Sequence, residues 1–89
     1  MDKFKSLERI LKVLANRRRL KILKYLKDHP VASVSEIADA IDLSIQSTSK
    51  HLTILKSIQA VRTKQSSLLV YYYLAESLDE PGGYILSIL

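Results

Sequence analysis

Two helix-start signals in the middle of the chain constrain its fold more than any other feature. The segment Ser33-Val34-Ser35-Glu36 matches the capping box, in which a hydroxyl and a carboxylate each bind the other residue's backbone N–H. Ser44 is a second residue of a type preferred at helix N-caps. The spacing predicts one short helix after the first signal, a turn at Asp42-Leu43, and a second helix over about 45–57.

The second of these helices is predicted to have one apolar face and one polar face. Thr48, Leu52 and Leu55 recur at three- and four-residue spacing and predict a buried stripe. The other face carries small, uncharged or cationic side chains that can form hydrogen bonds: Gln46, Ser47, Ser49, Lys50 and Thr53. Two short helices of which the second is polar on the outside are typical of a helix-turn-helix, here over about 34–57.

The segments before this motif are predicted to be helical as well. An amphipathic helix is expected over 3–15, because its apolar residues fall on one face. Asn16 is a suitable N-cap for a second helix. That helix should end near Asp28-His29, since Pro30 disfavours helical geometry at the residue before it.

The pattern changes after the helix-turn-helix. Residues 61–65 alternate between apolar and polar, Ser66-Ser67 can turn, and 68–74 has the β-branched and aromatic composition of a strand. Together these segments predict a β-hairpin over about 61–74. In the tail, 75–89, the residues Pro81-Gly82-Gly83 are expected to interrupt any helix, leaving at most one or two apolar helical turns at the end.

These elements predict a fold of the α+β class that is mostly helical. A helix-turn-helix followed by a basic hairpin is a winged helix, here with about four to five helices and the hairpin as its wing. The 89 residues and 47% hydrophobic content fit one domain over 1–89. No apolar run has the length of a membrane span, and no apolar signal core begins the chain, so a cytoplasmic protein that does not insert in membranes is expected.

The charge is distributed unevenly along the chain. The net charge is +5 and the sequence pI is about 9.6, which favours a polyanionic partner. Residues 43–75 contain four basic residues and neither Asp nor Glu, and binding phosphates requires the absence of repelling charge as well as the presence of cations. Chance clustering in a small protein is the alternative.

The predicted second helix of the motif offers groups that can read a DNA duplex. Gln46 can pair with adenine, and Lys50 can reach guanine or a phosphate. Ser44, at the positive end of the helix, can hold a phosphate together with the helix amides. Arg62 and Lys64 lie on the hairpin, where a wing meets the DNA backbone or the minor groove. Each side chain alone could equally be a solvated surface residue.

Three further features leave alternatives open. His51 is near the edge of the apolar face and is either a phosphate contact or a histidine at the edge of the core, rather than a metal ligand. The run 17–19 places three arginines at a helix start, where the dipole disfavours cations. It predicts a phosphate contact, a salt link to the acidic stretch 76–80 in the tail, or a solvated face. No motif of a phosphate loop, zinc protease or serine hydrolase is present, so neither an enzyme nor a cofactor is expected.

At this point the chain resembles the ArsR/SmtB-type winged-helix regulators. The resemblance covers about residues 4–75. It is carried by 14–26 in the second helix, by 34–38, 43–44, 49–52 and Leu55 in the helix-turn-helix, and by 61–62 and 70–74 in the wing. It implies a homodimeric regulator of transcription, most often a repressor, that reads a near-palindromic duplex and pairs through its first and last helices.

The resemblance also implies which residues do this. The recognition-helix positions that meet DNA are Ser44, Gln46, Ser47, Ser49, Lys50 and His51, with Ile45 in place of a commonly polar residue and able to contact a thymine methyl. The expected dimer interface is Phe4, Leu7, Leu11, Tyr84, Ile85 and Ile88.

The chain departs from the family's pattern in several places. It has no cysteine, and no histidine follows His51, so neither usual metal site can form and a regulator that does not sense metal is expected. Thr48 occupies a usually aliphatic position, and Gln59-Ala60 stands where a glycine is usual. The tail is also short and broken by Pro81-Gly82-Gly83, which argues against the standard two-helix dimer interface.

Two other functions fit the same sequence. A nonspecific, architectural DNA binder is suggested by the ten basic residues over 3–27. A winged-helix module that docks on another protein through its first helix and apolar tail is the other. Binding of the basic first helix to a membrane surface is disfavoured, because the same apolar stripe is needed for packing.

Overall fold

The fold has five helices and three strands within residues 2–89, the part of the chain that the computed structural model describes. In chain order they are α1 (Lys3–Leu14), α2 (Arg17–Asp28), β1 (Ala32–Ser33), α3 (Val34–Ile41), α4 (Ile45–Ser57), β2 (Val61–Ser66), β3 (Leu69–Leu74) and α5 (Gly82–Ile88). The predicted winged helix-turn-helix, with α3 and α4 as its two short helices, is confirmed.

Each of the three predicted N-cap residues holds the start of its helix. The side-chain oxygen of Asn16 accepts from the backbone N–H groups of Arg18 and Arg19 at 3.0 and 3.2 Å. Ser33 and Glu36 form both bonds of the capping box, at 2.9 and 3.2 Å. These bonds satisfy backbone donors that a helix start would otherwise leave unpaired, so the local sequence fixes where α2 and α3 begin.

The three strands form an antiparallel sheet in the order β1-β3-β2. The hairpin turn lies at Ser67-Leu68, with Ser67 in the left-handed region at φ 57°, one residue later than predicted. The strand β1 was not predicted, because two residues are too few to show a periodicity. It pairs Ala32 with Tyr72 and so fixes the base of the hairpin to the start of α3.

The core lies where the three central helices meet the base of the hairpin. The largest fully buried side chains come from α2, α3, α4 and β2: Ile22, Leu23, Leu26, Ile37, Thr48, Leu52, Leu55 and Val61. Burial of such side chains is the main favourable term in folding. It also fixes the rotation of α4 about its axis, which decides the face that α4 presents to solvent.

The prediction of one or two apolar helical turns at the end of the tail is confirmed by the seven residues of α5, but the expectation that both glycines precede this helix was wrong. Pro81 occupies the N-cap position and both glycines lie in the first turn of α5. Gly82 is buried so close to Leu78 that an added Cβ would lie 2.5 Å from its side chain, so glycine is needed there for packing. The helix then runs beside α1 and packs Ile85 and Leu86 against the core.

Candidate nucleic-acid interface

The exposed face of α4 is the centre of the candidate interface. Burial of Thr48, Leu52 and Leu55 turns the opposite side of the helix outward. Gln46 and Lys50 are exposed there, one turn apart. The helix has 13 residues, which corresponds to a length of about 20 Å and can be admitted by the major groove of DNA.

A shallow cleft of about 410 Å³ runs along this face. It is lined by Gln46, Ser49, Lys50 and Thr53. The hydroxyl of Thr53 donates to the carbonyl oxygen of Ser49 at 3.0 Å, so its proton is used within the helix. The amide of Gln46 and the ammonium of Lys50 are therefore the principal groups that this face offers to a base edge or a phosphate.

The N-terminal end of α4 carries three of the other predicted residues. The hydroxyl oxygen of Ser44 accepts from the backbone N–H of Ser47 at 3.1 Å, which is the expected cap. Ile45 is 53% exposed, a large apolar side chain directed away from the core. Ser47 is half-buried and lies on the side of the helix next to His51.

His51 lies at the edge of the interface, between α4 and the start of α2. The imidazole is half-buried, and its Nδ1 accepts a hydrogen bond from Nε of Arg19 at 3.2 Å. Partial burial, followed by the nearby charges of Arg19 and Arg18, lowers the pKa of His51 below its usual range, because all three disfavour the imidazolium. His51 is thus both a histidine at the edge of the core and a neighbour of the interface.

Arg19 is the residue that sequence reasoning did not single out. The run 17–19 was expected to contact phosphate, to pair with the acidic tail or to be solvated. Among residues 2–89 the ion pairs are Lys12–Glu8 and Lys24–Asp28, so the salt link to the tail does not form. Arg19 instead binds His51 and the carbonyl oxygen of Val13, at 3.1 Å. The unusual placement of cations at a helix start was the available signal.

The wing places Arg62 and Lys64 on one face of the hairpin. They lie opposite Tyr73 and Tyr71 in the register, and both are exposed. The alternate residues Val61 and Thr63 point to the other face, and Nζ of Lys56 in α4 donates to Thr63 Oγ1 at 3.4 Å. Within the described chain, Lys50, Arg62 and Lys64 make no ion pair. Their charges are available to an anion.

A second exposed surface lies on α1 and α5, away from α4 in the chain. Phe4 is 79% exposed and Leu11 48% exposed, so these two apolar residues of α1 are not covered by the core. Tyr84 and Ile88 of α5 are each 60% exposed. Of the other predicted interface residues, Leu7 is half-buried in a cleft of α1, and Ile85 is turned toward the core. The apolar residues of α1 therefore lie on two surfaces. Val13 and Leu14 are buried in the core, whereas Phe4 and Leu11 are exposed in the monomer.

The described residues form neither a metal-ligating cluster nor a membrane-spanning helix. No group of three or more His, Cys, Asp or Glu side chains within 2–89 is arranged to hold a metal ion. None of the five helices combines the length and the apolar character needed to span a membrane.

Comparison with known proteins assigns the chain to a family. Residues 14–63 match the model of a helix-turn-helix domain. The chain is also 30% identical to HlyU from Vibrio cholerae, covering 97% of this chain and 86% of that structure, with a TM-score of 0.79. The chain belongs to the ArsR/SmtB-type winged helix-turn-helix family.

Two further family members bear on the interpretation. The cadmium resistance transcriptional regulatory protein CadC of Listeria innocua is 36% identical over 69 residues, which are 78% of this chain and 58% of that protein. A homodimeric winged helix-turn-helix DNA-binding domain of Mycobacterium bovis, a possible ArsR-family regulator, is 29% identical with a TM-score of 0.78 and covers 96% and 75% of the two chains. The chain thus spans less than two thirds of the CadC length.

Proposed function

We propose that this protein is a DNA-binding regulator of transcription, with 1–89 forming one winged-helix domain. The observation that carries the proposal is the exposed face of α4, which joins a cationic wing without an intervening Asp or Glu. In this arrangement α4 enters the major groove and Gln46 and Lys50 contact base edges. Ser44, Ile45, Ser47, Ser49 and His51 lie along the same end of α4, and Arg62 and Lys64 neutralise backbone phosphates beside it. This role involves no enzymatic step. We expect the protein to act in the cytoplasm, where it binds the DNA.

We further propose that two copies bind together through the surface of α1 and α5. The exposed apolar side chains Phe4, Leu11, Tyr84 and Ile88 form the centre of the contact, with Leu7 and Ile85 packing behind them. Contiguous exposed apolar surface of this kind is typical of protein interfaces. A twofold-symmetric dimer would place two α4 helices about 34 Å apart, one turn of DNA, so the preferred site should be a near-palindrome.

The experiment that tests the proposed function is selection of duplexes from a random pool by the purified protein at near-physiological salt. A twofold-symmetric motif is the expected result. The matched control is Gln46→Ala, which should relax the preference at one position of each half-site without abolishing retention. Retention of DNA without any enriched motif would replace this function by architectural binding, and no retention would favour a module that binds protein.

We propose that metal does not regulate this binding, in contrast to what the name of CadC implies for that protein. The supporting observations are the absence of cysteine from the sequence and the absence of a three-residue metal-ligating cluster in 2–89. Stoichiometric zinc, cadmium or nickel should leave the affinity for the selected duplex unchanged. A shift in affinity with any of the three would contradict the proposal.

A further inference from the structure

The side chain of Arg19 connects three helices at the edge of the candidate interface. Its backbone N–H donates to the cap residue Asn16, at 3.2 Å. Its guanidinium donates to the carbonyl oxygen of Val13 in the last turns of α1, at 3.1 Å, and to His51 of α4, at 3.2 Å. The guanidinium is thus held from two sides, by α1 and by α4, while its own backbone is fixed at the start of α2.

The bond between Arg19 and His51 decides which nitrogen of the imidazole carries the proton. A guanidinium has only donors and does not lose its proton in proteins. Nδ1 of His51 must therefore be the unprotonated nitrogen that accepts. A neutral imidazole with an unprotonated Nδ1 carries its hydrogen on Nε2. The imidazolium is excluded while the bond exists, because it would turn a second donor toward Arg19.

The other ring nitrogen of His51 is left available. Nε2 has no hydrogen-bond partner among the described residues. The one buried side-chain polar atom without a partner among these residues is Oγ1 of Thr48, so Nε2 is not sealed from solvent. The groups that face His51 from α2 are Arg19 and Arg18, both cationic, and within 2–89 no carboxylate pairs with the ring. On its own helix the preceding residue is Lys50. An anion is thus the ligand that these surroundings favour at Nε2–H.

We propose that Arg19 is a positioning residue for DNA binding, which holds His51 in the neutral tautomer whose Nε2–H donates to a backbone phosphate oxygen. The DNA part of this inference rests on the proposed function, whereas the tautomer does not. Arg19 acts through His51, and it also fixes the middle of α4, where His51 lies, relative to the start of α2. The placement of the Arg19 cation at a helix start, unfavourable for α2 alone, is explained by this task.

The first test is made without DNA. Nitrogen NMR of the uniformly labelled protein near pH 7.5 should show His51 protonated at Nε2 and unprotonated at Nδ1. In Arg19→Ala the pKa of His51 should rise, since an acceptor bond and a neighbouring positive charge are lost. The matched control is Arg18→Ala, which removes an equal charge from the same turn and leaves the bond to Nδ1 in place. A wild-type His51 protonated at Nδ1, or a tautomer and pKa unaffected by Arg19→Ala, would overturn the proposal.

The second test uses the duplex selected by the protein. Arg19→Ala should weaken binding about tenfold, the effect of losing one well-placed hydrogen bond to a charged group. His51→Gln supplies an amide N–H at the position of Nε2–H that needs no partner at Nδ1. In the His51→Gln background, Arg19→Ala should weaken the affinity for the duplex by less than about twofold. Equal losses in both backgrounds would show that Arg19 acts independently of His51.

Arg19→Lys keeps the proposal testable if Arg19→Ala does not fold. Lysine retains the charge, but its single ammonium does not reproduce the two separate directions of the guanidinium. The variant should bind DNA more weakly than the wild type while its salt dependence stays unchanged. Full affinity in Arg19→Lys would contradict the positioning role. Failure of the wild-type protein to bind any duplex would overturn the proposed function. The predicted tautomer of His51 would still be decided by the NMR test.

Discussion

The ammonium of Lys27 lies 2.9 Å from the carbonyl oxygen of Leu86 and 3.4 Å from that of Ser87, connecting the end of α2 to the end of α5. The last carbonyls of a helix have no partner within the helix and carry partial negative charge. Lys27 therefore fixes α5 on the body of the protein. This matters because α5 is short and carries Tyr84 and Ile88, two of the proposed dimer contacts.

Lys27→Met is accordingly expected to weaken the dimer without unfolding the monomer. The bond is solvent-exposed, so its loss should raise the dimer dissociation constant only about threefold. Analytical ultracentrifugation over a concentration series measures this change. Lys24→Met is the matched control, because Lys24 is on the same helix and pairs with Asp28 instead of α5. Equal dimer constants for Lys27→Met and the wild type would show that α5 needs no such fixing.

The exposed apolar residues of α1 provide a stronger test of the dimer. The double variant Phe4→Ser and Leu11→Ser should be monomeric, since it removes two of the largest exposed apolar side chains of the proposed contact. Its helical content should stay close to that of the wild type, because neither side chain belongs to the core. A variant that remains dimeric at micromolar concentration would place the interface elsewhere.

The salt dependence of DNA binding tests the proposed phosphate contacts. Lys50→Ala and Arg62→Ala should each reduce the slope of log K against log salt by about 0.9, the value for one lost phosphate contact on duplex DNA. Lys24→Ala, a cation outside the proposed interface, should leave the slope unchanged. Slopes that are equal in all three variants would argue against direct contact by Lys50 and Arg62.

The sequence was sufficient to predict most helix starts and the buried face of α4, because caps and apolar spacing are local signals. It could not reveal that Arg19 meets His51, since 32 residues separate them and the contact depends on how α2 and α4 pack. In the tail it predicted the short last helix but not its start, because Gly82 lies inside the first turn, close against Leu78. A glycine in sequence alone indicates a break, and only the tertiary contact shows that it permits a close approach.

The departure from the family's pattern at Thr48 is expected to lower the stability of the fold. The side chain is fully buried, and its hydroxyl has no hydrogen-bond partner in the described structure. Thr48→Val replaces that hydroxyl by a methyl group of similar size and should raise the free energy of unfolding by about 1 kcal/mol. Thr48→Ser keeps the hydroxyl and loses the methyl, so it should lower the stability. Denaturant unfolding that finds Thr48→Val less stable than the wild type would indicate that the hydroxyl is satisfied.

The lowered pKa of His51 predicts how stability changes with pH. An unfolded histidine titrates near 6.5, whereas partial burial and the charges of Arg19 and Arg18 lower the pKa in the folded state. Between these two pKa values the unfolded chain binds more protons than the folded chain. The free energy of unfolding should therefore be fully retained above about pH 6.5 and decrease as the pH falls from there toward the pKa of the folded state.

Two variants show how much of this change in the free energy of unfolding comes from His51. His51→Gln has no group that titrates at this position, so its stability should decrease less between pH 6.5 and pH 5 than that of the wild type. Gln46→Ala, on the exposed face of the same helix, leaves His51 in place and should keep the wild-type decrease. Urea unfolding at closely spaced pH values measures the effect. A wild-type protein that becomes more stable as the pH falls through this window would show that the imidazolium is favoured in the fold, which the bond from Arg19 to Nδ1 forbids.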